Sequence, residues 1–383
     1  MLNSTQFATF FLFSALYNIF LHPFRKFPGP RISAISRFPW IRDWLSGKLH
    51  KSVQQMHDIY GPIVRVAPDE LSFIEASAWN EIYGIKSGKS FIRDPKWYAN
   101  LTEGQDDIIV ANEAGHARFR KIFSPFFSDR SLRQNETVIT NNIDLLMEKL
   151  QGQIKDTGGV ADMIKWYNWT TFDIIGELIY GESFDCLKNG EYHPWLAVVL
   201  QNIRHSSYIA LMERYSFLKT VIMVLLPKSL LEKRNMHLAV IRDKCGNHAH
   251  SKADHSIIGS LAKNNAQITT SELEANLALM TMAGSETSAT TMSAATYYLA
   301  TNKSAASKAS AEIRTAFTSE KEISWAKVQK LPYLTAVIKE TLRLYPPTPV
   351  GLPRRVISEG EIIMGHFIPK DVRSSKMQIS EAY

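Results

Sequence analysis

Cys186 and Cys245 are the only 2 cysteines in this chain. So few cannot form a disulfide framework, which points to a reducing compartment. Long lysine–arginine runs are also lacking. The 44 basic and 37 acidic residues, net +7, are spread thinly. This excludes the concentrated basic stripe of a nucleic-acid-binding protein. No internal repeat or low-complexity segment occurs. Nor does any apolar run reach the ~20 residues of a bilayer span unaided. The stretch from Phe7 to Leu21 carries no charge, and attains the lower limit only with Leu2 and the uncharged residues between. No positive charge precedes it, which argues against a cleavable signal peptide. Arg25, Lys26 and Arg31 follow it, as on the cytoplasmic side of an anchor. Residues 1–26 are therefore expected to form a transmembrane anchor helix or a membrane-dipping one, rather than a buried helix. Pro28-Gly29-Pro30 would be a stiff elbow into a domain spanning 27–383.

What is present is globular: 45% hydrophobic and 21% charged residues. The stretch 60–74, "YGPIVRVAPDELSFI", reads as a hairpin, with Val64, Val66, Leu71 and Phe73 alternating around Pro68-Asp69. Helical patterns follow over 105–133, 137–155, 160–182, 193–226, 228–250, 271–301, 303–317 and 331–345. The box Ser271-Glu272-Leu273-Glu274 is expected to open the longest of them. Gly360 and Gly365 punctuate short strands near the end. The fold class is mainly α with small β-sheets (α+β), in one domain. Five Asn-x-Ser/Thr triplets, at Asn3, Asn100, Asn135, Asn168 and Asn302, carry no meaning on a cytosolic surface.

Three stretches carry candidate chemistry. The longest helical pattern contains Ala283-Gly284-Ser285-Glu286-Thr287. Gly284 costs ~1 kcal/mol against alanine in a helix, a cost that close approach of a flat ligand would offset. Thr287 lies one turn beyond Ala283, where its hydroxyl could hold a water or a proton. Glu286 is an acid able to relay protons. The competing reading is a small-residue notch at a helix crossing, with Ser and Thr bonding back to carbonyls. In "YLTAVIKETLRLYPP", Glu340 and Arg343 share a face. Their apolar flanks, Leu334, Val337, Ile338, Leu342 and Leu344, suggest a partly buried pair bound into a network. In "GHARFRKIFSPFF", His116 and Arg120 lie four apart with Arg118 and Lys121 alongside and Phe119, Phe123, Phe126 and Phe127 interleaved. That pattern suits an anionic group on a flat apolar ligand, or else a solvated basic face.

Together these stretches resemble the cytochrome P-450 family of heme-thiolate monooxygenases, in the family's order over nearly the whole chain. "YNIFLHPFRKFPGP" and "VGLPRRV" look most like the fungal branch that oxidises secondary metabolites. The resemblance implies a heme cofactor, a lipophilic substrate, an NADPH-cytochrome reductase partner and an endoplasmic reticulum membrane with the domain in the cytosol. It assigns His116, Arg120 and either Arg354 or Arg355 to the heme propionates. It assigns Ala283, Gly284, Glu286 and Thr287 to the oxygen-activating helix, and Glu340 with Arg343 to a pair bracing the heme loops. It also implies an iron-ligating cysteine beyond that pair, and Cys186 and Cys245 both lie upstream. The segment from about Asp371, "DVRSSKMQISEAY", is polar without strand alternation, and reads as a foreign tail on a truncated chain. The alternative function is then an inactive remnant that binds an apolar ligand. His237, Cys245, His248, His250 and His255 lack a repeating zinc-ligand spacing and read as a solvated loop.

Overall fold

The chain's two ends meet in one sheet. A computed structural model describes residues 4–84, 91–98, 106–194, 211, 215, 256–263 and 267–376. They gather into two units, one holding the described residues from 4 to 98, 211, 215 and from 348 to 376, the other those from 106 to 194 and from 256 to 347. The predicted helices at 193–226 and 228–250, and the His237–His255 cluster, lie almost wholly outside the described residues.

The first unit begins with α1 (Ser4–Leu16), which runs into a π-turn at Tyr17–Leu21 and a 3-10 turn at Pro23–Lys26. Among the described residues no helix is long and apolar enough to cross a membrane. This corrects the expected transmembrane helix: the apolar run breaks its α-hydrogen bonding at Tyr17 and ends at His22-Pro23. Short helices α2 (Arg31–Ile35) and α3 (Phe38–Leu45) precede α4 (Leu49–Tyr60). The expected hairpin is present as β1 (Ile63–Ala67) and β2 (Glu70–Phe73), antiparallel. Every residue of both strands is buried. Val64 and Val66 pack with Trp40, Leu49 and Val53, while Ile63, Leu71 and Phe73 pack with Phe24, Phe27 and Ile82. The polar residues between them are satisfied internally, as where His57 bridges Gly61 O and Ser72 Oγ at 2.8 Å each.

Helix α5 (Ala76–Tyr83) and β3 (Phe91–Arg93) follow, and β4 (Arg354–Val356), β5 (Gly360–Ile363), β6 (His366–Pro369) and β7 (Arg373–Lys376) complete the unit. The sheet order is β1-β2-β7-β4-β3, with β5 and β6 a separate hairpin. Strand β7 corrects the expectation of a foreign tail after Asp371, since Arg373–Lys376 pairs in parallel with β2 and Arg373, Ser374 and Ser375 are buried. Its Arg373 is held by charge, not by apolar alternation. Arg373 bonds Asp94 and Asp69, and Arg37 bonds Asp69 and Glu70, so that two arginines and three carboxylates form one network.

The second unit is helical: α6 (Glu113–Phe123), α7 (Asp129–Gln134), α8 (Glu136–Thr157), α9 (Met163–Tyr180), α10 (Cys186–Asn189), α11 (Ile257–Lys263), α12 (Thr270–Thr301), α13 (Lys303–Ala316), α14 (Trp325–Val328) and α15 (Pro332–Leu344). The pattern expected over 105–133 is thus two helices, parted at Ser124-Pro125. Ten residues of α9 are buried, from Trp166 to Tyr180, and α9 crosses α12 over a core of Phe119, Phe123, Phe172, Ile179 and Leu277. Asn168 is itself buried, its amide donating to Ile164 O at 3.0 Å, so that triplet is closed to modification.

Candidate active site

Helix α12 is fixed at its start. Thr269, not Ser271, is the N-cap: its hydroxyl accepts from Glu272 N while the Glu272 carboxylate accepts from Thr269 N. The expected box therefore begins two residues earlier, with Glu272 in the reciprocal position. Arg118 of α6 donates to both oxygens of Glu272 and, at 2.9 Å, to Gln267 O. That guanidinium and the Thr269 contacts hold the Glu272 carboxyl down at about 2. Arg118 thus ties α6 to the start of α12, with Phe119 and Phe123 buried beside it. His116, half-buried, and Arg120, exposed, lie one turn apart on a separate face of α6.

The middle of α12 has two faces. Thr281, Ser285 and Ala289, at four-residue spacing, are buried towards α9, and Tyr180 Oη lies 3.1 Å from Thr281 Oγ1. Gly284 belongs to this crossing. A Cβ there would lie 2.7 Å from Cδ1 of Ile175, so helix packing, not a flat ligand, explains the glycine. The G284A variant is expected to lose about 1 kcal/mol, overpacking outweighing the gain in helix propensity. Shortening Ile175 to valine should absorb that loss in thermal melts; a fully additive double variant would refute the crossing argument.

Ala283, Thr287 and Ser288 lie on the open side. Thr287 Oγ1 donates to Ala283 O at 2.7 Å, the back-bonding of the competing notch reading. Glu286, next to Thr287, is half-buried with Oε1 shut off from solvent and without a hydrogen-bond partner. Desolvation raises its pKa above the ordinary carboxylate value. A carboxyl whose folded pKa is raised contributes stability below its unfolded pKa and loses it as pH rises through the folded value. E286Q should therefore be more stable than the parent at neutral pH and equal to it in acid. Equal melting temperatures at neutral pH would show that the burial carries no cost.

Glu340 and Arg343 do meet, through two parallel hydrogen bonds of 2.6 and 2.7 Å. The expected burial is corrected, because their side chains are 54% and 33% exposed. Helix α15 packs on α12 and α13 through its other side, where Thr341 is buried. Its start is locked by Glu312, which accepts from Tyr333 N and Leu334 N at 2.9 Å each. The flanking Ile338 and Leu342 are 43% and 41% exposed, so they do not cover the pair.

In the first unit, Arg354 and Arg355 occupy successive positions of β4 and so opposite faces of the sheet. Arg355 lies 3.9 Å from Asp371. Arg354 lies over the Tyr83 ring at 5.6 Å. Tyr83 is itself pinned, donating to Leu352 O and accepting from Lys376 N, and burial pushes its phenol up to about 12. Both arginines keep a buried Nε without a hydrogen-bond partner. A guanidinium left with a buried donor is suited to receive a carboxylate.

Heme carries two such carboxylates, so within the first unit these donors fit its anionic groups; within the second unit, taken by itself, the exposed Ala283–Thr287 turn leaves room for a flat apolar group. Cys186 does not fit as an iron ligand. It is 1% exposed at the start of α10, its amide donates to buried Asp173, and burial pushes its thiol up to about 12. Cys245 lies outside the described residues, and among those no cluster of metal-ligating side chains occurs.

Comparison with known proteins gives the family. The chain is similar to the cytochrome P450 monooxygenase lcsI of Purpureocillium lilacinum, 36% identical over 365 residues, covering 93% of this chain and 70% of that protein. It is 37% identical to the cytochrome P450 monooxygenase astJ of Aspergillus oryzae, over 95% of this chain and 74% of the relative. Versicolorin B desaturase of Aspergillus parasiticus is likewise 37% identical, over 95% and 74%. The family model described as cytochrome P450 matches residues 27–374, and with its helical body and small mixed sheets this chain belongs to the cytochrome P450 family.

Proposed function

We propose that the chain is a heme-dependent monooxygenase that oxidises a lipophilic secondary metabolite with electrons from an NADPH-cytochrome reductase. The observation that carries this is the open turn of α12, where the Thr287 hydroxyl stands beside a half-buried Glu286 whose pKa is raised by desolvation. Bound heme supplies the iron at which dioxygen is activated. Glu286 Oε1 is then a proton store and Thr287 Oγ1 the group that hands the proton on. His116 and Arg120 on α6 bind heme carboxylates, and Arg354 on β4 does the same in its own unit. The Asp371 carboxylate near Arg355 supports Arg354 for that role. Glu340 and Arg343 brace neighbouring backbone as a pair. One relative is named for versicolorin B, which supports a small organic metabolite as substrate. Residues 1–26 attach the chain to the endoplasmic reticulum membrane, with residues 27–383 as the catalytic domain on the cytosolic side.

Heme retention tests the reading without activity. Heme added to the full chain should bind and give its visible absorbance, and H116A/R120A should lower the retained fraction several-fold. Equal retention would remove both residues from the site. Cys186 favours a second reading, a heme-binding chain without thiolate ligation. The reduced protein under carbon monoxide separates the two, since only the first gives the thiolate-type shift of the Soret band.

A further inference from the structure

The N-terminal apolar segment is fastened to the sheet. Arg65, in the middle of β1 and 2% exposed, donates from Nη1 to Asn18 O at 2.9 Å and from Nε and Nη2 to Pro68 O at 3.2 and 2.8 Å. Its own backbone N–H takes Pro28 O at 2.8 Å. Arg25 caps a second carbonyl of the same run, Phe20 O, at 2.7 Å. Between these points His22 accepts from Phe24 N, and Phe24 and Phe27 are buried, stacked edge-on at 5.5 Å. Gly29 closes on β1 so tightly that a Cβ would lie 2.6 Å from Arg65 O. Residues 17–30 therefore cannot swing as a flexible tether while Arg65 is in place.

The surface so fixed has a consistent chemistry. Phe10, Phe11, Leu12 and Phe13, consecutive and so on all sides of α1, are 55–68% exposed. Adjacent α2 and the start of α3 add Ile32 and Phe38, 66% and 68% exposed. Arg25, Lys26 and Arg31 are exposed among them, and no aspartate or glutamate precedes Asp43. Apolar side chains interleaved with cations, in a segment that itself carries no acid, match the boundary of an anionic lipid leaflet.

We propose that Arg65 is a positioning residue that locks α1 to the sheet, so that α1, α2 and the start of α3 meet an anionic lipid surface as one rigid face. This rests on the membrane attachment proposed above. Arg65 itself touches no lipid. Its fork joins the Asn18 carbonyl of the helical run to Pro68 O in the β1–β2 turn, a geometry lysine cannot reproduce.

The test uses the full chain as wild type, R65Q and R65K, with circular dichroism as a check of folding. In solution, R65Q and R65K should be cut by trypsin after Lys26 and Arg31 on the order of ten-fold faster than wild type, because the elbow now opens locally. All three should sediment with phosphatidylcholine–phosphatidylserine vesicles and poorly with phosphatidylcholine alone. A fluorophore on F38C, in a Cys245→Ser background, should be quenched by brominated lipid in wild type and several-fold less in the Arg65 variants. Equal tryptic rates and equal quenching in all three overturn the lock. R65K matching wild type reduces it to charge and overturns the geometric claim. A wild-type chain that sediments with neither vesicle overturns the lipid face and the attachment reading, whatever trypsin shows.

Discussion

Asp94→Ala is expected to destabilise the first unit by about 3–5 kcal/mol, lowering its melting temperature by roughly 10 °C. Asp94 is fully buried and accepts from Arg373, itself 5% exposed. Removing the carboxylate leaves a guanidinium in the interior whose remaining partner, Asp69, is shared with Arg37. An uncompensated buried charge costs far more than the pair contributes when whole. The same reasoning gives the control. R373M should also be destabilised, but the double variant D94A/R373M should be less damaged than the sum, since it removes both charges together. Melting curves of the four proteins decide it: additive losses would mean that Asp94 and Arg373 do not act as a pair.

Thr287→Ala carries the largest expected effect on chemistry. In reconstituted enzyme, product formed per NADPH should fall on the order of ten-fold, while substrate binding changes little. The hydroxyl is proposed to move a proton in a step that binding does not need, so its loss belongs in turnover rather than affinity. Its present bond to Ala283 O is a local one, and its removal leaves only a carbonyl already bonded within the helix. Stability should therefore hold, which separates a catalytic fault from a folding one. Unchanged yield and unchanged peroxide leakage would exclude Thr287 from proton delivery.

Helices and their order were legible because their apolar spacing is long and regular, as in 271–301 and 303–317. Their ends were less so: Thr269 caps α12 because its hydroxyl and Glu272 satisfy each other, a reciprocity that Ser271 with Glu274 only imitates. Strand β7 was illegible for a physical reason. Its neighbours β2 and β4 bury both its sides, and Arg373 is neutralised by carboxylates some three hundred residues earlier in sequence. Local alternation cannot report such a partner. At the site, His116 with Arg120 and Ala283 with Thr287 were visible as one-turn spacings. Two readings of apolar context failed. Ile338 and Leu342, beside Glu340, are themselves exposed and cover nothing, and the reason for Gly284 is Ile175 on another helix. The fixing of Asn18 and Pro28 by Arg65 had no sequence signal, since an arginine inside a strand pattern looks the same whatever it bonds.

The sheet order β1-β2-β7-β4-β3 has a consequence for synthesis. Strands β1, β2 and β3 are made early, but their neighbours β4 and β7 are translated only after the whole second unit. Through that interval β2 presents an open edge, and Asp69 and Asp94 stand without Arg373. Such contacts of long sequence separation form late and slowly, while the helical unit, rich in local contacts, can complete first. On the ribosome the order of maturation is therefore inverted relative to the order of translation: the unit that starts first is the one that closes last.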